Sequence, residues 1–307
     1  MLTGESPAVE WQERVARFTD RHFGKLAVSP VLILLLTTAL IPFVIMLWIS
    51  FTDFSFNLPN HDGRWIGLNN YARALFHDER FRASLRIQGV FLVSTVPLEC
   101  ALGLLVAITI RASRSAGRII LPVLVVPMLL APITVGMIWR LLLHGDYGLL
   151  GYYLGRLSFP GSGSILGTPT TAFAAVVLID IWQWTPFFVI ILLAGLYSMP
   201  EAPFQAARVD GASNGRIFRT LTLPLLRPAI TVGVLIRAMD SFKEFDKISV
   251  LTRGGPASAT ELVSVYAWIV SFDHGELAYG SALTILVYLL IYFASTGLFW
   301  VGRKDWR

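Results

Sequence analysis

Residues 199–228 read MPEAPFQAARVDGASNGRIFRTLTLPLLRP, a polar, arginine-bearing stretch between two long apolar ones. Pro200 suits the first turn of a helix running through Glu201, Ala202, Phe204, Ala206, Ala207 and Val209. Gly211, tolerant of positive φ, suits its end. Ser213 is placed to cap a second helix, and Pro224 and Pro228 bracket the return to apolar sequence. Connections in helical bundles are mostly short, so one of about 30 residues implies a task. Phe204 and Val209 are apolar where a solvated loop needs no apolar residue, which predicts a docking face for a partner.

The flanks set the class. Of 307 residues 55 % are hydrophobic and 15 % charged, where a soluble domain carries about 25 % charge. This composition argues against a soluble enzyme, a disordered chain or a disulfide scaffold, and for an integral membrane protein. Lys and Arg exceed Asp and Glu by 25 to 20, a formal charge of +5. The lone Cys100 allows no intramolecular disulfide and reads as a small buried hydrophobe.

A membrane helix needs about 20 apolar residues, because lipid offers the backbone no hydrogen-bond partner. Windows 26–52, 119–139 and 277–302 carry no charge, 87–110 carries only Glu99, and 157–197 only Asp180. Pro122, Pro127 and Pro132 predict kinks in the third window. A sixth candidate, 227–251, holds Arg237, Asp240, Lys243, Glu244, Asp246 and Lys247 and is too charged for hydropathy to decide. Parity decides it. Arg14, Arg17, Arg21 and Lys25 precede the first window, and Arg303, Lys304 and Arg307 follow the last, so both ends are expected in the cytoplasm and the charged segment is expected to span. Arg111, Arg114 and Arg118, and Arg208, Arg216, Arg219 and Arg227, then fall inside, while 144–170 holds only Arg156 and falls outside. Arg64, Arg73, Arg80 and Arg82 are an outer exception, accompanied by Asp62, Asp78 and Glu79. The first window is too long and too far along the chain for a cleaved signal and is expected to remain as an anchor. The stretch before it, with Trp11, Val15, Phe18 and Phe23, fits a helix on the inner leaflet and a solvated tail equally.

Catalytic signatures are missing. No GxxxxGK[ST] or HExxH occurs; Gly211-Ala212-Ser213-Asn214-Gly215 matches GxSxG in spacing alone, since Ser213 falls between two expected helices and not at a strand-to-helix turn, and 161–164 reads as a flexible outer loop. Nothing here proposes a nucleophile, a metal or a nucleotide site, so energy must come from another chain.

Charges inside a span are expensive and normally face a cavity or one another. Arg237, Asp240, Ser241 and Glu244 stand at i, i+3, i+4 and i+7, one helical face; Asp180, Gln183 and Trp184 repeat i, i+3, i+4 in another window. Carboxylate, amide and indole groups suit a sugar, which makes these two stripes a candidate translocation site. Neutralisation of Arg237, Asp240 and Glu244 by one another along the helix is the alternative. Lys243, Asp246 and Lys247 are read as interfacial, Glu99 as an isolated packing hydrogen bond, and Trp139, Trp268, Trp300 and Trp306 as interfacial belts.

The run Gln205-Ala206-Ala207-Arg208-Val209-Asp210-Gly211-Ala212-Ser213, closing on Leu221-Thr222-Leu223-Pro224, resembles the EAA loop of permease subunits of binding-protein-dependent ABC importers. Gly67-Leu68-Asn69-Asn70-Tyr71, Trp182-Gln183-Trp184-Thr185-Pro186-Phe187 and Thr252-Arg253-Gly254-Gly255-Pro256 are similar to its carbohydrate-uptake branch, the maltose and glycerol-phosphate-like permeases. The likeness runs over about 26–302. It implies an all-α type I importer permease fold with six transmembrane helices. Residues 1–25 would be a cytoplasmic segment, 26–302 the transmembrane domain with its coupling loop at 199–228, and 303–307 a cytoplasmic tail. It further implies that Glu201, Phe204, Gln205, Ala206, Ala207, Asp210 and Gly211 meet a separate ATPase subunit, present in two copies. The other implied partners are a second permease chain, an extracytoplasmic binding protein and a carbohydrate-like solute, in a bacterial inner membrane. No cofactor is expected in this chain, with ATP and Mg on the ATPase. The pathway is placed on the two polar stripes. Gln205 departs from the family's Glu and cannot form an ion pair; Glu201, one turn earlier, can carry that charge. Leu221-Thr222-Leu223-Pro224 departs from Ile-x-Leu-Pro but keeps its volume. An ion-coupled carrier would usually show an inverted repeat, and none is evident. A membrane-embedded enzyme should show a reactive constellation.

Overall fold

The computed structural model describes residues 27–57, 62–156 and 164–303. The expectations for the segment 1–25 with its basic flank, for 161–163 of the outer loop, and for Lys304, Trp306 and Arg307 lie outside them. Among the described residues the structure is helical, and the only strand-like pairing is a bridge between Thr52 and Trp65.

Among the described residues five helices are long and apolar enough to cross a bilayer: α1 (Ala27–Ile49), α3 (Glu79–Ala112), α7 (Pro169–Tyr197), α9 (Asn214–Ser241) and α12 (Leu277–Arg303). Between them lie α2 (Asn69–Ala72), α4 (Arg114–Leu129), α5 (Pro132–Leu142), α6 (Leu149–Arg156), α8 (Ala202–Val209), α10 (Asp246–Leu251) and α11 (Val263–Asp273). A sixth crossing exists only if α4 and α5 are counted as one.

Three expected spans change shape. The window 119–139 is not one rod: it bends by 95° between α4 and α5. Pro122 and Pro127 sit inside α4 without stopping it, whereas Ala131, pressed by the ring of Pro132, turns to ψ 135° and ends the run. The window 157–197 opens too early, because the helix starts only at Pro169, where the Thr168 hydroxyl accepts from the Thr171 N–H. The window 227–251 is divided. Its first part belongs to α9, which begins in the polar elbow and stops at Ser241, and after a turn at 242–245 the chain restarts as α10. Arg237 and Glu244 therefore do not share one helical face.

α7 is the axis of the bundle. It is apolar nearly all round, the pattern of a helix enclosed by others. Val176 and Ile179 in its first half pack with Phe91, Val135 and Ile248. Phe188 and Leu192 in its second half pack with Val96 and Leu226. Gly103 lets α3 close on α7: a Cβ there would stand 2.5 Å from the Phe188 Cβ and 3.1 Å from the Val189 nitrogen. Gly136 does the same for α5 and α10, with the Lys247 carbonyl 2.8 Å from a hypothetical Cβ. α1 stands apart with its apolar side chains exposed, touching α12 through Phe43 and Tyr288, whose ring centroids are 5.7 Å apart. Exposed leucines and isoleucines are what lipid contact requires.

The end of the bundle remote from the elbow is tied by polar contacts. Asn70 donates to the carbonyls of Ser50 and Thr52 at 2.9 and 2.8 Å. Asp78 caps α3 by accepting from the Phe81 N–H at 2.8 Å, and takes the hydroxyls of Tyr266 and Tyr279 at 2.6 and 2.5 Å.

Candidate functional site

Two places concentrate polar function. At the elbow, α8 ends at Asp210, and Gly211 adopts φ 75°, as its sequence position suggests. The Ser213 hydroxyl accepts from the Arg216 N–H at 3.4 Å and starts α9. Phe204 corrects its sequence reading. It is 9 % exposed and packs into the bundle, with the Arg111 guanidinium carbon 5.8 Å from its ring centre. Phe204 thus anchors the elbow, and the free apolar residue is Val209, 87 % exposed. Glu201, Gln205, Ala206, Asp210 and Gly211 are also exposed, and Ala207 is half-buried. Behind α8 a cleft of about 600 Å3 is lined by Arg111, Glu201, Phe204, Gln205, Arg208 and Phe218.

The second place lies in the middle of the bundle. Arg237 of α9 reaches Glu99 of α3 through two hydrogen bonds, Nε to Oε2 at 3.0 Å and Nη2 to Oε1 at 3.3 Å, and also pairs with Asp180 of α7. Lys247 of α10 donates to Asp180 at 2.6 Å and to the Gln183 amide oxygen at 3.1 Å, and lies 3.2 Å from Glu244. Gln88 holds the Ser241 carbonyl at 3.2 Å. Arg237, Glu99, Asp180 and Lys247 are all buried. Trp184 closes one side, the Arg237 guanidinium 4.9 Å from its ring centre. The Trp184 indole N–H and Arg237 Nη1 have no acceptor among the described residues. Charges at this depth survive because each has an opposite partner and a good hydrogen bond.

This cluster revises several expectations. Asp180, Gln183, Trp184, Arg237, Ser241 and Glu244 are brought together, but Asp240 is not: it is 38 % exposed and sits 4.0 Å from Lys243. Glu99 is not isolated, since it is a principal partner of Arg237. Lys247 is not interfacial, being fully buried. Nor do Arg237, Asp240 and Glu244 neutralise one another along one helix, because the partners of Arg237 come from α3 and α7. Lys247 and Gln88 escaped the sequence reading. Charge matching held a signal: lone acids in two apolar windows need bases, and 227–251 contains them. Trp139 is no simple belt residue, since it packs against Trp182 with ring centroids 5.4 Å apart. Among the described residues no group of His, Cys, Asp and Glu could hold a metal ion.

Long apolar helices around a paired ionic core, with an amphipathic elbow at one end, define a multi-pass membrane transport subunit. The chain belongs to the family of binding-protein-dependent transport system inner membrane components, whose model matches residues 100–304. It is therefore an inner-membrane permease subunit and not an enzyme. It is 36 % identical over 260 residues to the probable ABC transporter permease protein y4oQ of Sinorhizobium fredii, covering 85 % of this chain and 83 % of that one. It is 33 % identical to the trehalose/maltose transport system permease protein MalF of Thermococcus litoralis, with 94 % and 96 % covered. To the sulfoquinovosyl glycerol transport system permease protein SmoG of Agrobacterium fabrum it is 32 % identical, with 88 % and 87 % covered. Its fold is similar to that of a chain in a bacterial ABC transporter importing the acidic polysaccharide alginate, with TM-score 0.78, 19 % identity, and 95 % and 99 % covered. A second structure of an alginate transporter, in complex with a periplasmic protein carrying an alginate pentasaccharide, gives TM-score 0.77 at 19 % identity, with 95 % and 98 % covered.

Proposed function

We propose that the chain is the transmembrane subunit of an ATP-driven importer of a sugar or sugar-derived solute. An extracytoplasmic binding protein delivers the solute, and a second, related permease chain completes the pathway. Two ATPase subunits, holding ATP and Mg, seat the elbow at 199–228 on the cytoplasmic side, where both termini also lie. The names of the relatives support a carbohydrate, since MalF is named for trehalose and maltose and SmoG for a sulfoquinovosyl glycerol. Closure of the ATPase pair pushes the elbows together, and the spans swing from inward-open to outward-open, so that the solute site is exposed to each side in turn.

The observation that carries this reading is the build of the elbow. Phe204 is clamped into the bundle while Val209, Gln205 and Asp210 stand free beside it, so a load applied to the exposed edge of α8 reaches the spans. Glu201, Phe204, Gln205, Ala206, Ala207, Asp210 and Gly211 form this coupling unit, with Phe204 as its anchor. The Asp180, Gln183, Trp184, Arg237, Ser241 and Glu244 cluster, with Asp240 on its flank, lies along the path of the solute. The unpaired donors of Trp184 and Arg237 support a polar visitor there, although most of the cluster is closed on itself in this conformation. Val209→Asp should strip the co-expressed ATPase from the purified complex while the variant keeps its melting temperature and elution volume. An ATPase that stays bound, or uptake that continues without one as an ion-coupled carrier would allow, sinks the reading. Stimulation of ATP hydrolysis by a sugar panel, in the full assembly with its binding protein, identifies the solute.

A further inference from the structure

On the outside of the bundle, the turn after α9, α11 and α12 enclose a groove of about 410 Å3, within the ~300–1,000 Å3 typical of small-ligand sites. Phe245, Trp268, Phe272 and Tyr288 wall it. The first three form a run, with ring centroids 5.5 Å apart from Phe245 to Trp268 and 5.9 Å from Trp268 to Phe272. Trp268, Phe272 and Tyr288 are 38 %, 61 % and 54 % exposed. Tyr288 lies about 16 Å down α12 from Leu277 at ~1.5 Å per residue, roughly half the ~30 Å of hydrocarbon. The groove therefore runs from the bundle end remote from the elbow to about mid-depth.

Lys243, 73 % exposed, stands at its lip, and Asp240, 38 % exposed, lies 4.0 Å from the Lys243 ammonium. Asp240 is about 18 Å along α9 from Pro228 at ~1.5 Å per residue, still at hydrocarbon depth. An exposed ion pair there cannot face acyl chains at tolerable cost; it has to meet water or a polar group. A pyranose presents C–H faces that stack on aromatic rings, and hydroxyls that accept from an ammonium and donate to a carboxylate.

We infer that this groove is a saccharide-binding wall of the translocation pathway, with Trp268, Phe272 and Tyr288 stacking the sugar and Asp240 and Lys243 holding its hydroxyls. The inference rests on the importer reading and adds to it a surface that, apart from Asp240, lies outside the two polar stripes. It adds solute contact at the exposed groove to that at the buried cluster, whose ion pairs also hold the helices together.

The test uses the whole assembly in proteoliposomes with its binding protein, and maltose and trehalose as probes. Where wild type transports neither, the sugar panel supplies the probe, and a wild type that transports none of the panel overturns the sugar assignment and this proposal with it. Where wild type transports one, Trp268→Ala and Phe272→Ala should each cut uptake at limiting sugar at least tenfold. Trp268→Phe should restore most of it, and Phe293→Ala, outside the groove, should behave as wild type. Uptake within twofold of wild type in both alanine variants overturns the groove while leaving the importer reading intact. Because a packing defect could mimic the loss, Phe272→Cys is labelled in a Cys100→Ala background with a membrane-impermeant thiosulfonate. The proposal expects reaction, slowed at least fivefold by saturating sugar. An unreactive cysteine means that lipid or the second permease covers the face, and a rate indifferent to sugar means that no sugar binds; either result overturns the proposal.

Discussion

Lys247 shows how far one side chain's placement depends on residues distant in sequence. Its ammonium is fully buried and held by Asp180, Gln183 and Glu244. Removing it leaves Asp180 with one partner fewer and takes from Glu244 the cation it pairs with, and breaking a buried pair in this one-sided way typically costs ~3–5 kcal/mol. Lys247→Met, which keeps the volume, should lower the melting temperature of the purified protein markedly. A variant as stable as wild type would show that the cluster contributes little net stability. The sequence pattern flagged Asp180, Gln183 and Arg237 correctly as special, because charge in an apolar window has few explanations. It misplaced Lys247 and isolated Glu99, because periodicity relates residues along one helix and both find their partners on others.

Among the helices, what hydropathy reports is where lipid can be met, and that was legible for α1, α3, α7 and α12. Where a helix stops depends on a local event. At Ala131 the event is the following proline, yet Pro122 and Pro127 are equally prolines and stop nothing. At Ser241 the chain turns so that Lys247 can re-enter the bundle, a reason no window of sequence contains. Asp78 is the joint between the start of α3, α11 and α12. Burial alone would raise its carboxyl, but the hydroxyls of Tyr266 and Tyr279, the Phe81 N–H and nearby Arg73 outweigh that and hold it below the usual carboxylate range. A depressed folded-state value means that its stabilisation is complete at neutral pH and is lost as pH falls through that value. Asp78→Asn should therefore melt below wild type at pH 7, and the gap should close in acid. A gap that persists unchanged to pH 3 would show that Asp78 acts through shape alone.

Over the whole molecule, the elbow and the aromatic groove lie at opposite ends, which gives the bundle a testable polarity. Val209→Cys in a Cys100→Ala background should react with an impermeant thiol reagent in inside-out vesicles and not in intact cells, and Phe272→Cys should do the reverse. The same label on both from one side would contradict the assigned orientation. The motif run 205–213 located the elbow from sequence, but not that Phe204 turns inward, since a helix of eight residues shows too few turns to tell its clamped side from its free one.

The continuity of α9 has a mechanical consequence. Its 28 residues run unbroken from Asn214 beside the elbow to Ser241, a rod of about 42 Å at ~1.5 Å per residue. Pivoting at its inner end, a tilt of about 10° sweeps the far tip sideways by about 7 Å for that length. A crank of this kind turns a small stroke at the handle into a large one at the mouth, provided the wide turn at Phe218–Thr222 stays stiff under load.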